Sequence, residues 1–350
     1  MRSLTTIQQR CETLFCLYFS IISVTINKTM LHFLKEWFYY LFAMFIIKLT
    51  LKLPRKTALT IGAVLADLIF SLSASDKRRT YNNLRSCLGI KDEREIADIA
   101  TKCFRHWGKS VIEVMQFPGL TREKVNQFVV FEGKENLDLA LRAGRGVVLL
   151  TAHFGNWELL GASLTLNGYP LNVIAREVRS ERLQQLLAAY RQAVGMKVIY
   201  RGASVKNGLR CLKRNEILGI LPDVDTKTDG VFVDFFGRLA YTPFGPVAIV
   251  LKTQSLIVPA FIIRQPDDSH RVVIEKPLEL KLTGRKDVDI QVNAQLFTKV
   301  IESYVRRYPT QWIWMHPRFK TRPSDVNNYT LRFLHSFMDN EERNNKFLKK

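Results

Sequence analysis

Apolar and polar positions change rhythm along the chain, and each change predicts a different kind of element. From Leu31 to Leu53 the sequence reads LHFLKEWFYYLFAMFIIKLTLKL, with no charge between Trp37 and Ile47. Aromatic residues at its start and Lys48, Lys52, Arg55 and Lys56 after it suit a membrane interface. The uncharged core is only 11 residues, so a spanning helix needs Lys35 and Lys48 to snorkel. A membrane anchor over residues 31–53 is expected, with a buried or interfacial helix as the alternative. Leu14 to Ile26 is a further apolar run of 13 residues, short of the roughly 20 that cross a bilayer.

Ile61, Val64, Leu65, Leu68, Ile69 and Leu72 then step by threes and fours, which predicts an amphipathic helix. The basic knot Asp76-Lys-Arg-Arg79 ends it. Ile96, Ala100, Cys103, Phe104, Trp107, Val111, Val114 and Met115 form a second helical stripe, closed near Pro118. Residues 54–120 are therefore expected to be a helical arm, whose first helix either packs conventionally or lies on lipid.

Beyond Thr121 short apolar runs alternate with helical stretches, the pattern of an α/β layer architecture. Strands are predicted at Phe128–Phe131, Val147–Leu150, Leu171–Ala175, Lys197–Tyr200, Ile217–Leu221, Leu256–Ile263 and Val272–Ile274. Helices are predicted at Glu181–Val194, Ser204–Arg214, Pro243–Thr253 and Val288–Tyr308. Runs as apolar as Val147–Leu150 are buried on both faces, which implies a mostly parallel central sheet flanked by helices. The polar segment 324–350 reads as a tail.

Charge narrows the partners. A net charge of +20 implies anionic ones, such as acidic phospholipid, a phosphorylated glycolipid or nucleic acid. The aromatic residues lie mostly within apolar runs and are not interleaved with the basic clusters, which disfavours base stacking and hence nucleic acid. Five scattered cysteines without a Cys-x2-Cys pair suggest neither a disulfide framework nor a zinc site, and fit a reducing compartment.

Candidate chemistry begins where the strand Val147–Leu150 ends. His153 follows it, Asn156 is placed to cap a helix, and Glu158 falls in that helix's first turn. On one regular helix His153 and Glu158 would point about 140° apart. With His153 on the loop and Glu158 in the helix, the two side chains are expected to meet. The carboxylate would hold one imidazole nitrogen and leave the other free to take a proton from a hydroxyl. On spacing alone, a structural histidine is the commoner outcome.

The full motif, His153-Phe-Gly-Asn-Trp-Glu158 after a buried strand, resembles the signature of the bacterial lipid A biosynthesis acyltransferases. That family lies within a wider glycerolipid and lysophospholipid acyltransferase superfamily with His-x4-Asp/Glu. The block Gly230–Gly245, the strand with Pro259 and the closing segment Trp312–Pro323 resemble further family blocks, in order. The resemblance covers about residues 31–323, sets 121–323 as the acyltransferase domain, and leaves residues 1–30 as an extension or a mis-assigned start.

The resemblance implies an O-acyltransferase with His153 and Glu158 as catalytic pair. Arg176, after the strand Leu171–Ala175, is the position expected to hold substrate near them; by residue type alone a surface arginine fits equally. Asp223 and Asp225 end the strand Ile217–Leu221 at the same sheet edge, as site carboxylates or as turn and cap residues. Phe232, Phe235 and Phe236 are either acyl-chain contacts or core, and Arg238 follows them as a substrate-binding candidate. Arg318, Lys320 and Arg322 alternate as in an extended segment, so three cations would face one way, toward a phosphorylated headgroup or simply solvent. The implied donor is an acyl carrier protein thioester, or acyl-coenzyme A. The implied acceptor is a lipid A precursor, or another glycolipid or lysophospholipid. No metal and no resident cofactor are expected. The resemblance also implies the cytoplasmic face of a bacterial inner membrane.

Overall fold

In the computed structural model, residues 37, 41–42, 44–175, 180–200, 204–226 and 228–326 are described. Residues 31–36, 38–40 and 43 of the expected anchor, the extension before it, Arg176 and the tail from 327 onward lie outside these residues. Residues 44–51 are helical, and three longer helices follow: α1 (Arg55–Leu72), α2 (Ala74–Leu88) and α3 (Glu93–Met115). Among the described residues no single helix is long and apolar enough to cross a membrane, and α1 meets α2 at 94°.

The basic knot at 76–79 therefore does not end the arm's first helix; it starts a second one. Ser73 breaks the chain, and Ser73 Oγ donates to Asp76 in the first turn of α2 at 2.8 Å. Gly89 closes α2 at φ +70°, a left-handed cap that suits glycine. Helix α3 starts where Asp92 caps the Arg94 amide, with Glu93 and Glu95 in the first turn favoured by the helix dipole. Of its expected stripe, Ile96, Ala100, Cys103 and Phe104 are buried, while Trp107, Val111, Val114 and Met115 are half-buried.

Helix α4 (Arg122–Val125) leads into alternating strands and helices. In order these are β1 (Val129–Glu132), α5 (Lys134–Arg142), β2 (Val147–Leu150), α6 (Trp157–Leu166), β3 (Leu171–Ala175), α7 (Glu181–Ala193), β4 (Lys197–Tyr200), α8 (Ser204–Lys213) and β5 (Ile217–Ile220). A hairpin of β6 (Gly230–Phe235) and β7 (Arg238–Pro243) follows, then α9 (Gly245–Thr253), β8 (Leu256–Arg264), β9 (His270–Ile274) and α10 (Lys286–Arg307). Seven strands form one sheet in the order β1-β9-β8-β2-β5-β3-β4, parallel at every pairing except β8 with β9. The expected α/β class with a mostly parallel sheet is what the chain forms.

Strand β2 lies at the centre and is buried at all four positions. Val147 and Leu149 join one apolar cluster with α5 and α6, while Val148 and Leu150 join the other with α9 and α10. A strand that must satisfy apolar layers on both sides reads as an unbroken apolar run. The β6–β7 hairpin stands outside this sheet as a separate two-stranded unit.

The arm is fixed to itself by a close helix crossing. A Cβ at Gly108 of α3 would lie 2.2 Å from the Gly62 carbonyl oxygen of α1, so only glycine allows the two backbones this approach. Gly108→Ala is expected to part α1 from α3 and lower stability by about 1–3 kcal/mol, the usual cost of overpacking. Chemical denaturation of the two proteins would show it, and an unchanged midpoint would contradict so tight a crossing.

Candidate functional site

Strand register assembles the site. β2 and β5 are parallel neighbours with Leu150 opposite Ile220, and the ladder continues through the Thr151 amide to the Ile220 carbonyl at 3.0 Å. His153 and Asp223 each lie three residues past those paired ends. In-register parallel strands deliver such overhangs to the same edge, where ligands of open α/β sheets bind.

There Asp223 Oδ1 lies 2.8 Å from His153 Nδ1, and its Oδ2 accepts from the His153 amide at 2.9 Å and the Trp312 indole N–H at 2.9 Å. The Asp223 side chain is fully buried, whereas that of His153 is 27% exposed. Burial alone would raise the Asp223 carboxyl; the His153 ring, the Trp312 N–H and the His153 amide outweigh it and hold the group below its ordinary range. A carboxylate at Nδ1 fixes the tautomer that carries its proton there. Among the described residues, His153 Nε2 makes no hydrogen bond.

The partner expected for His153 was Glu158, and this is corrected. Glu158 does occupy the first turn of α6, but its carboxylate is taken by Arg191 of α7: Nε donates to Oε2 at 2.9 Å and Nη2 to Oε1. Among the described residues no hydrogen bond joins His153 to Glu158. The buried guanidinium draws the carboxylate to its own side, and Trp157 takes the position against the imidazole, with ring centroids 5.0 Å apart.

The turn between His153 and α6 is held from three directions. Gly155 has φ +59°, and a Cβ there would lie 1.8 Å from the Ile262 carbonyl oxygen of β8. The Gly155 amide donates to Gln311 O at 2.8 Å, and Phe154 forms a bridge with Trp312. Asn156 caps α6 by accepting from the Leu159 amide at 3.1 Å, while its Nδ2 donates to Glu113 Oε2 at 2.8 Å. Glu113, buried on α3, also accepts from Arg264 Nη2 at 2.7 Å and pairs with His270 Nε2 at 2.8 Å and with Arg55. Burial would raise the Glu113 carboxyl, but His270 and Arg264 hold it well below its ordinary range. Sequence reading missed this hub, whose signal is a lone glutamate near the apolar face of α3.

The other candidates are distributed unevenly. Asp225 is buried and tethers the C-terminal segment: its Oδ2 accepts from the Thr321 amide at 3.1 Å and its carbonyl from Lys320 Nζ at 2.8 Å. Phe236 and Phe235 are core residues, with Phe236 against Trp314 and under the Arg306 guanidinium; an acyl-chain contact at Phe236 is corrected accordingly. Arg318 does not share a face with Lys320 and Arg322. It is 1% exposed and donates to Tyr241 O and Thr242 Oγ1, because the segment after Trp314 coils instead of extending. Burial pulls its guanidinium down to about 10, even with Asp223 and Asp225 nearby. Arg322 is exposed, and its amide is capped by Asp325 at 2.8 Å. Arg176 lies outside the described residues. Among the described residues no group of three or more His, Cys, Asp or Glu could hold a metal ion.

A histidine steadied by a buried carboxylate, at the carboxyl edge of a parallel sheet, is an arrangement able to take a proton from a hydroxyl or a similar acid. The bacterial lipid A biosynthesis acyltransferase family matches residues 24–321, and the chain belongs to that family. It is 27% identical over 183 residues to the phosphatidylinositol mannoside acyltransferase of Mycobacterium tuberculosis (strain H37Rv), covering 51% of this chain and 58% of the relative, so the chain spans little more than half of that protein's length. It is 24% identical over 283 residues to the lipid A biosynthesis lauroyltransferase of Escherichia coli (strain K12), covering 80% of this chain and 91% of the relative. The palmitoleoyltransferase of the same organism is 25% identical over 244 residues, covering 69% of this chain and 78% of the relative.

The buried histidines behind the site give a stability prediction. His106 is lowered to about 3, by burial and then by Arg264, and burial likewise lowers His270. His106 therefore stays neutral in the folded chain, while the unfolded chain protonates it near pH 6.5. Its contribution is complete above that value and declines as pH falls below it, by up to about 1.4 kcal/mol per pH unit. Urea unfolding between about pH 7 and pH 5 should show falling stability and His106→Asn a shallower slope; a flat profile would rule out neutral burial.

Proposed function

We propose that this protein is an O-acyltransferase that moves a fatty acyl group from a thioester to a hydroxyl of a membrane glycolipid. The observation that carries it is the contact between His153 Nδ1 and the buried Asp223, which leaves Nε2 free on a part-exposed ring. Nε2 takes the proton of the acceptor hydroxyl as its oxygen attacks the thioester carbonyl. The resulting tetrahedral intermediate expels the thiolate, and the imidazolium returns its proton to the sulfur, so the base is restored. Asp223 stays ionised and stabilises the imidazolium. Glu158 acts through Arg191, fixing the first turn of α6 beside Trp157 and so the wall against which the imidazole rests.

Family membership supports a lipid A precursor as acceptor, and the donor in this reading is an acyl carrier protein thioester. The net charge of +20 would draw an acidic carrier. A second reading, acylation of a different glycolipid, is favoured by the likeness to phosphatidylinositol mannoside acyltransferases. In either case the enzyme works at the cytoplasmic face of the inner membrane. The exposed Val64, Leu68 and Leu72 on α1 are the kind of apolar ridge that rests on lipid.

Labelled acyl carrier protein with detergent-solubilised enzyme and a lipid panel tests the reaction, and label in a glycolipid is the expected result. His153→Ala should lower turnover by about 10²–10⁴ with the fold retained. Label transfer at the wild-type rate would end the proposal. Asp223→Asn should cost on a similar scale, since an amide favours the wrong imidazole tautomer, and Glu158→Gln should cost less. If kinetics reverse that order, the orienting role belongs to Glu158.

A further inference from the structure

Between α2, the turn of the β6–β7 hairpin and the C-terminal segment lies an open cleft of about 320 Å³. Arg78, Arg79, Arg238 and Lys320 line it together with Asn82 and Phe319, and no acidic residue does. A second depression adjoins it, sharing Asn82 and Arg238 and adding Arg85. Four cations on one concave wall raise a local positive potential that a bare net charge does not.

Lys320 already pairs with Asp225 Oδ1 at 3.7 Å, so the unspent donors belong to the three arginines. Arg238 Nη1 donates to Ser86 Oγ at 2.6 Å, and its guanidinium carbon lies 3.9 Å from the Phe319 ring centroid. Arg79 Nη1 donates to Met315 O at 3.0 Å and to Asp76, which leaves its Nη2. Asn83 ties α2 to the Trp314 carbonyl at 2.8 Å, so helix and C-terminal segment form one rigid wall. Arg78 is exposed and makes no hydrogen bond or ion pair among the described residues. The cleft is joined to the catalytic edge through Lys320, whose Nζ rests on the carbonyl of Asp225, two residues past Asp223.

We propose that this cleft binds a phosphomonoester carried by the lipid acceptor and so sets which hydroxyl reaches His153. Guanidinium forks match phosphate oxygens in pairs, and a pocket of this size admits a phosphorylated sugar. The acceptor and donor KM values distinguish the lipid acceptor from the acyl donor as the source of that phosphate. The inference rests on the reading above for the identity of the acceptor, though not for the existence of the site.

Binding decides it without turnover. The His153→Ala protein is titrated with a phosphorylated acylated glycolipid and with the same lipid after phosphatase treatment. Tighter binding of the phosphorylated form, by about tenfold or more, is expected. That preference should vanish in Arg78→Gln/Arg238→Gln on the same background. In the otherwise wild-type enzyme the double substitution should raise acceptor KM by a similar factor, with kcat and donor KM within about twofold. Equal binding of the two lipids, or a rise confined to donor KM, would overturn the proposal. Arg78→Gln alone alters a solvent-exposed side chain and provides the test if the double variant fails to fold. Loss of the acyl-transfer reading would appear separately, as retained turnover in His153→Ala.

Discussion

The in-register pairing of β2 with β5 is the constraint on which the rest depends. With Leu150 fixed opposite Ile220, two three-residue overhangs reach the same edge, and Asp223 can take both the ring and the backbone of His153. A one-residue slip would send every side chain of a strand to the opposite face. Here that would exchange the two apolar layers of β2 and part the pair at once. The apolar core thereby specifies the polar site: the cost of exposing Val147 to Leu150 forbids the registers in which His153 lacks its carboxylate. A buried carboxylate is costly unless fully bonded, and the Trp312 indole supplies the donor that the histidine cannot. The C-terminal segment is thus part of the site, although it lies far from the motif in sequence.

Much of this was legible from periodicity. The strands at 147–150, 171–175 and 197–200 match the segments expected for them residue for residue, although only the first is buried at every position. Helix α2 was not legible: ASDKRRTYNNLRSCL buries Thr80 and Asn83 alongside Leu84 and Cys87, so its inward face is half polar and shows no stripe. The β6–β7 hairpin was hidden differently. Its turn places Phe236 at φ +58° beside Gly237 at +74°, a position that asparagine or aspartate usually marks. The strain of a bulky residue there is offset by burial of the Phe236 ring and by its amide donating to Glu302 at 3.0 Å.

The partner of the histidine shows the limit of local spacing. Glu158 was the natural expectation because helical geometry can be read five residues ahead. Asp223 is 70 residues away, and only sheet order makes it adjacent. Its position just past a buried strand was visible, but which strand neighbours β2 was not. Arg191 resolves the competition, since a guanidinium with few other partners holds Glu158 on the α7 side.

Charge poses the same problem on a larger scale. Arg318, Lys320 and Arg322 look equivalent in sequence, yet one is locked inside against Thr242, one leans on Asp225 and one caps a turn. Arg55 and Arg264 are likewise spent on Glu113, joining the arm to the turn that carries His153. A buried ionic hub of this kind adds little net stability, but it fixes one geometry between α3, β8 and the cap of α6. Part of the positive charge that remains for an outside anion is gathered by α2 and the hairpin turn in a concave wall. The net excess of cations says that anions are attracted; the burial pattern decides where one can be held.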